Sequence, residues 1–386
     1  MASRVLKIVQ LACYSGNIGD NANLRGTRRL LRRSLPWELS FTDLDILDFL
    51  WGRRRFDGEF QELVNRHDLF IIGGGGFFEL SDDQSATGTP LDFSRELLQG
   101  IRTPMVFHAL GVDAAEQVPR ERVERFRRFL DYLFSRPDVL VSIRNDGAGA
   151  TVARLLGEEY RRRLYQVPDG GFFTEVKEAA HPELKPGRIT VAINLAGDML
   201  PHRFPGGESH LDFAGFLAEL ARALRGFLQQ EPRAELVLVP HIFKDVAAAG
   251  ALLSSLGVPY CRRRANLAPL LQGPGAQGYI FDLYRRCQLV LGMRFHANVC
   301  PLGLATPTLG LVCYPQIAAL YRELELEDHA LVVNRPGFAG PLVEMMFSHL
   351  EHSGQIKERY HRLQSELEDS MRSFHQRIAQ WLAQHL

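Results

Sequence analysis

The chain has 386 residues, of which 46% are hydrophobic and 23% charged, and its 45 basic and 45 acidic side chains give a formal net charge of +0. Two domains are expected, because a single core seldom grows beyond about 250–300 residues. The balanced charge excludes long-range attraction to nucleic acid, and no stretch approaches the roughly 18 apolar residues of a membrane span. The sequence therefore predicts a soluble, cytoplasmic protein; peripheral association with a membrane and a homo-oligomer both stay open.

The five cysteines are odd in number, show no Cys-x-x-Cys spacing and lie mostly in apolar runs. This pattern predicts buried free thiols of a reducing compartment rather than a disulfide framework. It also gives no support for a zinc site, so no metal is expected.

The first half of the chain alternates short β-branched runs with amphipathic helices, which is typical of a parallel α/β sheet. The predicted strands are 5–12, 39–44, 68–73, 104–110, 139–144 and 165–168. The predicted helices are 23–34, 118–135 and 147–156. We interpret the polar segment 181–188, with its two prolines and a glycine, as a linker that ends an N-terminal, acceptor-side domain over 1–180.

The same alternation restarts after this linker and predicts a C-terminal, donor-side domain over 188–352. Its predicted strands are 189–194, 236–241, 258–262, 289–293, 308–312 and 331–334, with helices at 213–230, 245–256 and 280–286. Apolar residues at steps of three and four then predict one long helix over 353–386 that packs back on the body. The predicted fold class is α/β, with two Rossmann-like domains facing across a cleft and ligands at the carboxyl ends of the strands.

The first of four candidate motifs, Ser15-Gly-Asn-Ile-Gly-Asp20-Asn-Ala-Asn23, follows the first predicted strand. Its glycines allow a sharp turn, and the helix that follows offers free N–H groups to an anionic or hydroxylated ligand. We therefore place Asn17 and Gly19 among the substrate-binding candidates. An ordinary turn between a strand and a helix remains the alternative.

The second motif is the run Gly73-Gly-Gly-Gly76 after a buried strand. Four glycines permit a closer approach of the backbone to a ligand than a turn requires, so Gly74 and Gly75 are binding candidates. No Gly-Lys-Ser/Thr follows, which disfavours a nucleotide hydrolase.

The third motif is Ser142-Ile-Arg144-Asn-Asp146, at the end of a predicted strand. Arg144 there is placed to bind a carboxylate or phosphate through two hydrogen bonds, and a structural salt bridge with Asp146 is the alternative. Asp169, at the end of the next short strand, either faces the cleft or holds its turn.

The fourth motif, Gly292-Met-Arg-Phe-His296, leads from a hydrophobic strand into a predicted helix at 297–304. Arg294 supplies fixed positive charge, and His296 supplies a proton that titrates near neutral pH. The helix N-terminus supplies spare backbone N–H donors. This combination makes the strand-to-helix junction the strongest functional candidate of the chain.

In this order the motifs resemble those of the polysaccharide pyruvyl transferase family. The resemblance is carried by Gly16-Asn-Ile-Gly-Asp20, Ile71-Ile-Gly-Gly-Gly-Gly76, Ser142-Ile-Arg144, Gly292-Met-Arg-Phe-His296 and Leu302-Gly-Leu-Ala-Thr-Pro-Thr-Leu309. It implies a fold similar to GT-B glycosyltransferases, phosphoenolpyruvate as donor, and a sugar acceptor that is often lipid- or nucleotide-linked. It further implies pyruvate ketals as products, no metal or other cofactor, and donor contacts by Arg294 and His296, with Arg144 as the arginine of another family motif.

Two positions depart from the family pattern. Asn145 stands where an acidic residue normally follows the arginine, and Gln316 stands where lysine is usual. The loss of that lysine puts the contacts to the donor phosphate in question. His108 and Asp113 are predicted to lie in a cleft-facing loop and to influence the choice of acceptor.

The chemistry of the donor suggests a mechanism. The C3 atom of phosphoenolpyruvate must be protonated before C2 becomes electrophilic, and a histidinium at His296 is suited to this step. The two arginines would hold the carboxylate and the phosphate, and Asp20 is the candidate base for the attacking hydroxyl.

Two other functions stay open at this point. A GT-B glycosyltransferase that uses a sugar nucleotide needs an acid for the ribose hydroxyls, and Asp282, after the turn at 273–278, is the only acid nearby. A non-catalytic, ligand-binding relative of the family is the other alternative.

Overall fold

The structure is a computed structural model that describes residues 5–114, 118–273 and 275–386. Pro274, in the predicted turn at 273–278, lies outside the described residues. The chain forms two compact units: the first comprises Met1–Ser15, Asn23–Gly170 and Leu367–Leu386, and the second comprises Gly16–Ala22 and Gly171–Glu366. These units divide after Gly170, whereas the sequence placed the linker at 181–188 and assigned the tail to a separate element.

The first unit is built on a parallel sheet of six strands in the order β2-β1-β3-β4-β5-β6. The strands are β1 (Val5–Ala12), β2 (Glu38–Asp45), β3 (Leu69–Gly73), β4 (Met105–Leu110), β5 (Val139–Arg144) and β6 (Tyr165–Val167). The helices are α1 (Ile18–Ser34), which begins in the second unit, α2 (Ile46–Leu50), α3 (Gly58–Val64), α4 (Arg95–Gly100), α5 (Arg120–Ser135), α6 (Ala148–Leu156) and α7 (Glu158–Arg161). β3 and β4 are buried along their whole length, which explains why their sequences are apolar except for His108 in β4.

The second unit is built on a parallel sheet of six strands in the order β12-β11-β10-β7-β8-β9. The strands are β7 (Ile189–Asn194), β8 (Ala234–Leu238), β9 (Ala265–Leu267), β10 (Leu289–Gly292), β11 (Thr308–Val312) and β12 (Ala330–Val332). The helices are α8 (Leu200–Arg203), α9 (Phe213–Gln230), α10 (Phe243–Leu256), α11 (Val258–Arg264), α12 (Ala276–Arg286), α13 (His296–Gly303), α14 (Pro315–Glu323) and α15 (Ala339–Glu351).

Each strand order reverses at one point, between β1 and β3 in the first sheet and between β7 and β10 in the second. Loops at such a reversal leave in opposite directions, so a crevice forms at the carboxyl ends of the strands where ligands bind. The first motif follows β1, the glycine run ends β3, and the Arg-x-His motif follows β10. The predicted fold class is confirmed in its two parallel α/β sheets and its long terminal helix.

The predicted strand at 258–262 is wrong, because this segment forms α11. Gly257 adopts φ +89° and ends α10, and Pro259 lies in the first turn of the next helix, where its fixed φ favours helical backbone. The apolar residues of this segment are only partly buried or exposed. The strand that pairs with β8 is β9 instead.

The terminal helix α16 (Ser353–Leu382) is present as predicted. Its residues up to Glu366 belong to the second unit, where the Tyr360 hydroxyl donates to the Thr308 carbonyl at 3.2 Å. Its later residues belong to the first unit, where Met371, Phe374 and Ile378 are buried.

All five cysteines are free thiols; Cys287, Cys300 and Cys313 are buried as predicted, whereas Cys13 and Cys261 are only partly buried. In the described part of the chain no helix is both long and apolar enough to cross a membrane. The same residues include no group of three or more histidine, cysteine or acidic side chains placed to hold a metal ion.

Candidate functional site

The turn between β10 and α13 is held by Asn298. Its Nδ2 donates to the carbonyls of Gly292 at 3.0 Å and of Arg294 at 2.8 Å, and its Oδ1 accepts from the Tyr321 hydroxyl at 2.8 Å. A Cβ on Gly292 would lie 2.6 Å from the Ala297 carbonyl oxygen, so the turn requires glycine there. The sequence Gly292-Met-Arg-Phe-His-Ala-Asn298 thus encodes a rigid junction that fixes the side chains between its ends.

His296 begins α13 and contacts the first motif within the second unit. A Cβ on Gly19 would come within 2.5 Å of the His296 Cβ, and Asp20 Oδ1 lies 3.8 Å from His296 Nδ1. The His296 side chain is 6% exposed and that of Asp20 is 21% exposed. An imidazole and a carboxylate thus form a nearly buried pair at the N-terminus of α13.

Asn17 shapes the turn that presents Asp20. Its side-chain oxygen accepts from the Gly19 N–H at 2.9 Å, and its carbonyl accepts from the Asn21 side chain at 3.0 Å. In the structure Asn17 and Gly19 therefore position the Asp20–His296 pair, and their predicted contact with substrate stays a prediction.

Arg294 is held by two carboxylates of the second unit. Its Nε and Nη2 donate to Asp245 at 2.7 and 2.5 Å, and its Nη2 and Nη1 donate to Asp198 at 3.0 and 3.3 Å. Its backbone N–H donates to Asn194 Oδ1 at 3.0 Å. These bonds fix the direction of the guanidinium, whose side chain is only 11% exposed.

Asp245 anchors this arrangement from the first turn of α10. It accepts backbone N–H bonds from Gly197 at 3.0 Å and His241 at 2.9 Å in addition to the two bonds from Arg294. Burial acts to raise the pKa of Asp245, but the guanidinium and these donors outweigh it and hold the pKa below its usual range. Asp245 is thus a permanent anion that orients Arg294.

His241, which the sequence reasoning did not single out, is a second histidine of this region. It is fully buried, with its Nε2 3.0 Å from the Tyr284 hydroxyl. Burial lowers the pKa of His241 to about 3, and the charges of Arg294 and His296 act in the same direction. His241 is therefore uncharged near neutral pH and is not suited to act as a general acid.

Arg203, at the end of α8, was also missed. Its Nε donates to the Asp198 carbonyl at 3.1 Å, its Nη2 lies 3.4 Å from Asp198 Oδ1, and its guanidinium carbon lies 4.3 Å from the centre of the Tyr314 ring. The side chain is 9% exposed. It was missed because it follows an irregular loop after β7 and belongs to no recognisable motif.

Arg144 lies in a buried network of the first unit. Its Nε donates to Asp146 at 2.5 Å and its Nη1 lies 3.3 Å from Asp169 Oδ2, which also accepts from Asn23 at 2.7 Å. The salt bridge with Asp146 that was the structural alternative is therefore present. Asp146 supplies the acid that Asn145 lacks, while the Asn145 side chain accepts from the Asp169 N–H at 3.1 Å.

The glycine run after β3 packs into the same part of the first unit. Gly73 and Gly74 adopt φ +132° and +88°, and a Cβ on Gly74 would lie 3.0 Å from Asn23 Oδ1. The Gly75 carbonyl accepts from the Gly111 N–H at 2.9 Å. Backbone conformation and close packing explain these glycines, and their predicted contact with a ligand stays a prediction.

The predicted loop position of His108 is wrong. His108 lies in β4, where it is fully buried. Its Nε2 lies 2.9 Å from the Nε2 of His375 on α16. The sequence placed the strand correctly but gave no sign that this histidine would meet the terminal helix. Asp113 is exposed in the loop after β4.

Comparison with solved structures shows which class of fold this is. A Listeria monocytogenes protein assigned as a UDP-N-acetylglucosamine 2-epimerase has a TM-score of 0.59 at 12% identity, over 92% of this chain and 91% of that chain. A glycosyltransferase from Rickettsia africae has a TM-score of 0.56 at 9% identity, over 98% of this chain and 99% of that chain. MnaA from S. aureus, solved with UDP, has a TM-score of 0.51 at 11% identity, over 92% and 90%. The fold is GT-B-like, as predicted.

Within this class the chain belongs to the polysaccharide pyruvyl transferase family, whose family model matches residues 17–313. The match begins at Asn17, within the first motif, and includes the glycine run, Arg144 and the Arg-x-His junction. A search of curated proteins found no match. The protein is thus a glycan-modifying transferase by family.

Proposed function

We propose that this protein transfers the enolpyruvyl unit of phosphoenolpyruvate to a hydroxyl of a glycan or a lipid- or nucleotide-linked glycan precursor, and closes a pyruvate ketal. The observation that carries the proposal is the nearly buried pair of Asp20 and His296, 3.8 Å apart. A carboxylate next to an imidazole stabilises the imidazolium, which is the form that donates a proton.

The reaction would begin with transfer of the His296 proton to C3 of the donor, which makes C2 electrophilic. The oxygen of the acceptor hydroxyl then bonds to C2 and loses its proton to a base. Phosphate leaves with the electron pair of its bond to C2, a second hydroxyl attacks C2 and gives its proton back to His296, and the cyclic ketal forms. The proton taken up by the base passes to the released phosphate. One phosphate is released for each ketal.

Asp20 is the proposed base, because it is the carboxylate beside the proton donor. After the His296 proton has moved to the donor, Asp20 remains beside the ring as the carboxylate that accepts the proton of the acceptor hydroxyl. The same carboxylate would thus support His296 as an acid first and remove the acceptor proton afterwards.

The arginines have different parts in this proposal. Arg294 is directed by Asp245 and lies two residues before His296 in the rigid junction, so it is the proposed contact of the donor. Arg144 is 5% exposed and bonded to two buried carboxylates. Its proposed part is to hold Asp169 and the loop after β6 in place, with any contact to substrate made through the edge of its guanidinium.

The sugar-nucleotide alternative has less support from the structure. Asp282, the acid that it requires for ribose hydroxyls, is fully buried and accepts bonds from His181 at 2.9 Å, Arg285 at 2.6 Å and Arg286 at 3.0 Å. A carboxylate engaged in this way has little capacity for a further ligand.

Two measurements test the proposal. Calorimetric titrations with phosphoenolpyruvate and with UDP-sugars compare the two donor classes without an acceptor. Incubation with each donor and a panel of sugar acceptors then shows whether phosphate or nucleoside diphosphate is released. We expect phosphoenolpyruvate to bind and phosphate to appear. Binding of UDP-sugars with release of UDP would show a glycosyltransferase instead, and binding without release from any acceptor would favour the non-catalytic alternative.

A further inference from the structure

Arg203 and Arg294 share one carboxylate. Asp198 Oδ1 lies 3.0 Å from Nη2 of Arg294 and 3.4 Å from Nη2 of Arg203, and Asp198 Oδ2 lies 3.3 Å from Nη1 of Arg294. A carboxylate between two guanidiniums occupies the position in which such a pair would hold the phosphate or carboxylate of a ligand.

The two arginines do not depend on this carboxylate for their positions. Arg294 is bonded through Nε and Nη2 to Asp245, whose side chain is 1% exposed and which also caps α10. Arg203 is held by its Nε bond to the Asp198 backbone carbonyl and by its contact with the Tyr314 ring. If the Asp198 side chain turned away, both guanidiniums would keep an anchor.

Asp198 is more exposed than Asp245 and has fewer hydrogen-bond partners. Its side chain is 24% exposed, and among the described residues its carboxylate accepts hydrogen bonds only from the two arginines. The Asp198 carboxylate is therefore held by fewer contacts than that of Asp245, which accepts two backbone N–H bonds as well as the two bonds from Arg294.

Arg203 retains unused binding capacity. Its Nη1 is buried and makes no well-formed hydrogen bond to the described residues, although Tyr314 and Cys313 lie beside the guanidinium and a buried charged donor normally has a partner. With Asp198 turned away, two guanidiniums would face one remaining carboxylate, Asp245, and the local charge would change from balanced to positive. An anionic ligand would restore the balance and supply the missing acceptor.

We propose that Asp198 occupies the anion position of the donor in this structure, and that Arg203 and Arg294 together bind the anionic group of the donor when the Asp198 carboxylate moves aside. The inference rests on the proposed function and adds to it a binding residue, Arg203, and an exchangeable carboxylate. It also offers a replacement for the charge lost at Gln316, because Arg203 contacts Tyr314, two residues before that position.

The test measures calorimetric affinities for phosphoenolpyruvate, inorganic phosphate and pyruvate. Asp198→Asn removes the competing charge and is expected to bind the donor roughly 10-fold more tightly, since one charge-assisted contact is worth about that factor. Arg203→Met is expected to bind it roughly 10- to 100-fold more weakly, and Arg203→Lys to recover little of this loss because the planar fork is absent. Phosphate and pyruvate show which anionic group of the donor the pair holds.

Three further variants make the result decisive. Asp245→Asn should weaken donor binding, because it releases the anchor of Arg294. Arg222→Met, which removes a 67% exposed arginine of the same unit, controls for net charge and should leave the affinity unchanged. In the double variant Asp198→Asn/Arg203→Met, the gain from Asp198→Asn should disappear.

The outcomes separate this inference from the proposed function. If Asp198→Asn weakens donor binding as Asp245→Asn does, Asp198 is a positioning residue and the inference is wrong. If folded Arg203→Met binds phosphoenolpyruvate with wild-type affinity, the inference is also wrong. The proposed function is unaffected by that result. If the wild type binds inorganic phosphate through Arg203 but does not bind phosphoenolpyruvate, the proposed donor is wrong and the anion site remains. Binding of neither anion would overturn both.

Discussion

Gly19 lies against His296 so closely that a Cβ atom at residue 19 would come within 2.5 Å of the histidine Cβ and within 2.6 Å of its Nδ1. Real Cβ atoms do not approach other heavy atoms to this distance, so any side chain at position 19 must move His296 or the start of α1. The glycine of the first motif is therefore a packing requirement of the histidine in the fourth motif, although 277 positions separate them in the sequence (296 minus 19).

Replacing Gly19 with alanine should lower turnover with a smaller effect on the affinity for the donor. The added methyl group would displace the imidazole, and misplacement of a catalytic group by about 1 Å costs roughly 100-fold in rate. Gly250→Ala is the matched control, because Gly250 is exposed in α10 with no atom within 4 Å of an added Cβ. Turnover measured with phosphoenolpyruvate should fall only in Gly19→Ala; an unchanged rate there would mean that the His296 position is not needed for the reaction.

His296 and Arg294 should respond differently to substitution. His296→Ala is expected to lower turnover by roughly 10²–10⁴-fold, which is the usual contribution of a general acid, while changing donor affinity less. Arg294→Ala should mainly weaken donor binding, and Arg294→Lys should recover little because it lacks the planar geometry. His361→Ala, which removes an exposed histidine of α16, is the control. Near-normal turnover in folded His296→Ala would show that the histidine is structural.

The sequence predicted the parallel sheets and the strand-to-helix junctions because hydrophobic periodicity and glycine positions are local signals. It identified Arg294 and His296 for the same reason. It did not identify Arg203, His241 or Asp245, since their importance comes from the strand order β10-β7-β8, which brings the segments after β7 and β8 close to the segment after β10. The His108–His375 contact likewise joins residues 267 positions apart, and no local pattern reports it.

The buried network around Arg144 should be sensitive to loss of one charge. Asp169→Ala leaves a 5% exposed guanidinium with one carboxylate fewer, and breaking a buried pair from one side costs about 3–5 kcal/mol of unfolding free energy. Glu62→Ala breaks a surface ion pair between Glu62, which is 74% exposed, and Arg66, which is 73% exposed. This variant should lose less than about 1 kcal/mol of unfolding free energy. Denaturant titrations of both variants give the comparison. Equal, small losses would show that Asp169 contributes no stability through Arg144.

The His108–His375 pair should make the stability of the protein decrease in mild acid. Burial lowers the pKa of His108 to about 4, against a weaker opposite effect of Asp169, and burial also lowers the pKa of His375 well below its usual value. Below about pH 6.5 the unfolded chain therefore binds protons that the folded chain does not, so the free energy of unfolding falls as the pH falls toward 4.

A double variant isolates this contribution. His108→Gln/His375→Gln keeps two side chains capable of one hydrogen bond but removes both titrating groups. Between pH 7 and pH 5 the wild type should lose roughly 2–4 kcal/mol more stability than the double variant, since one pKa unit corresponds to about 1.4 kcal/mol. Parallel pH dependence of the two proteins in urea titrations would mean that the pair is not the source of acid sensitivity.

The last twenty residues of the chain should be essential for the first unit. Met371, Phe374, Ile378 and Leu382 are buried there, and the Trp381 indole N–H donates to the Pro137 carbonyl at 2.8 Å. Full burial of such a side chain contributes about 1.5–3 kcal/mol, so removing these four apolar groups costs an amount comparable to the entire stability of a typical domain, about 5–15 kcal/mol. Ending the chain after Glu366 should therefore abolish the cooperative unfolding transition of the first unit, whereas ending it after Leu382 should preserve that transition. Thermal melts followed by near-ultraviolet circular dichroism distinguish the two proteins, and a native-like transition after truncation at Glu366 would refute the packing role of the terminal helix.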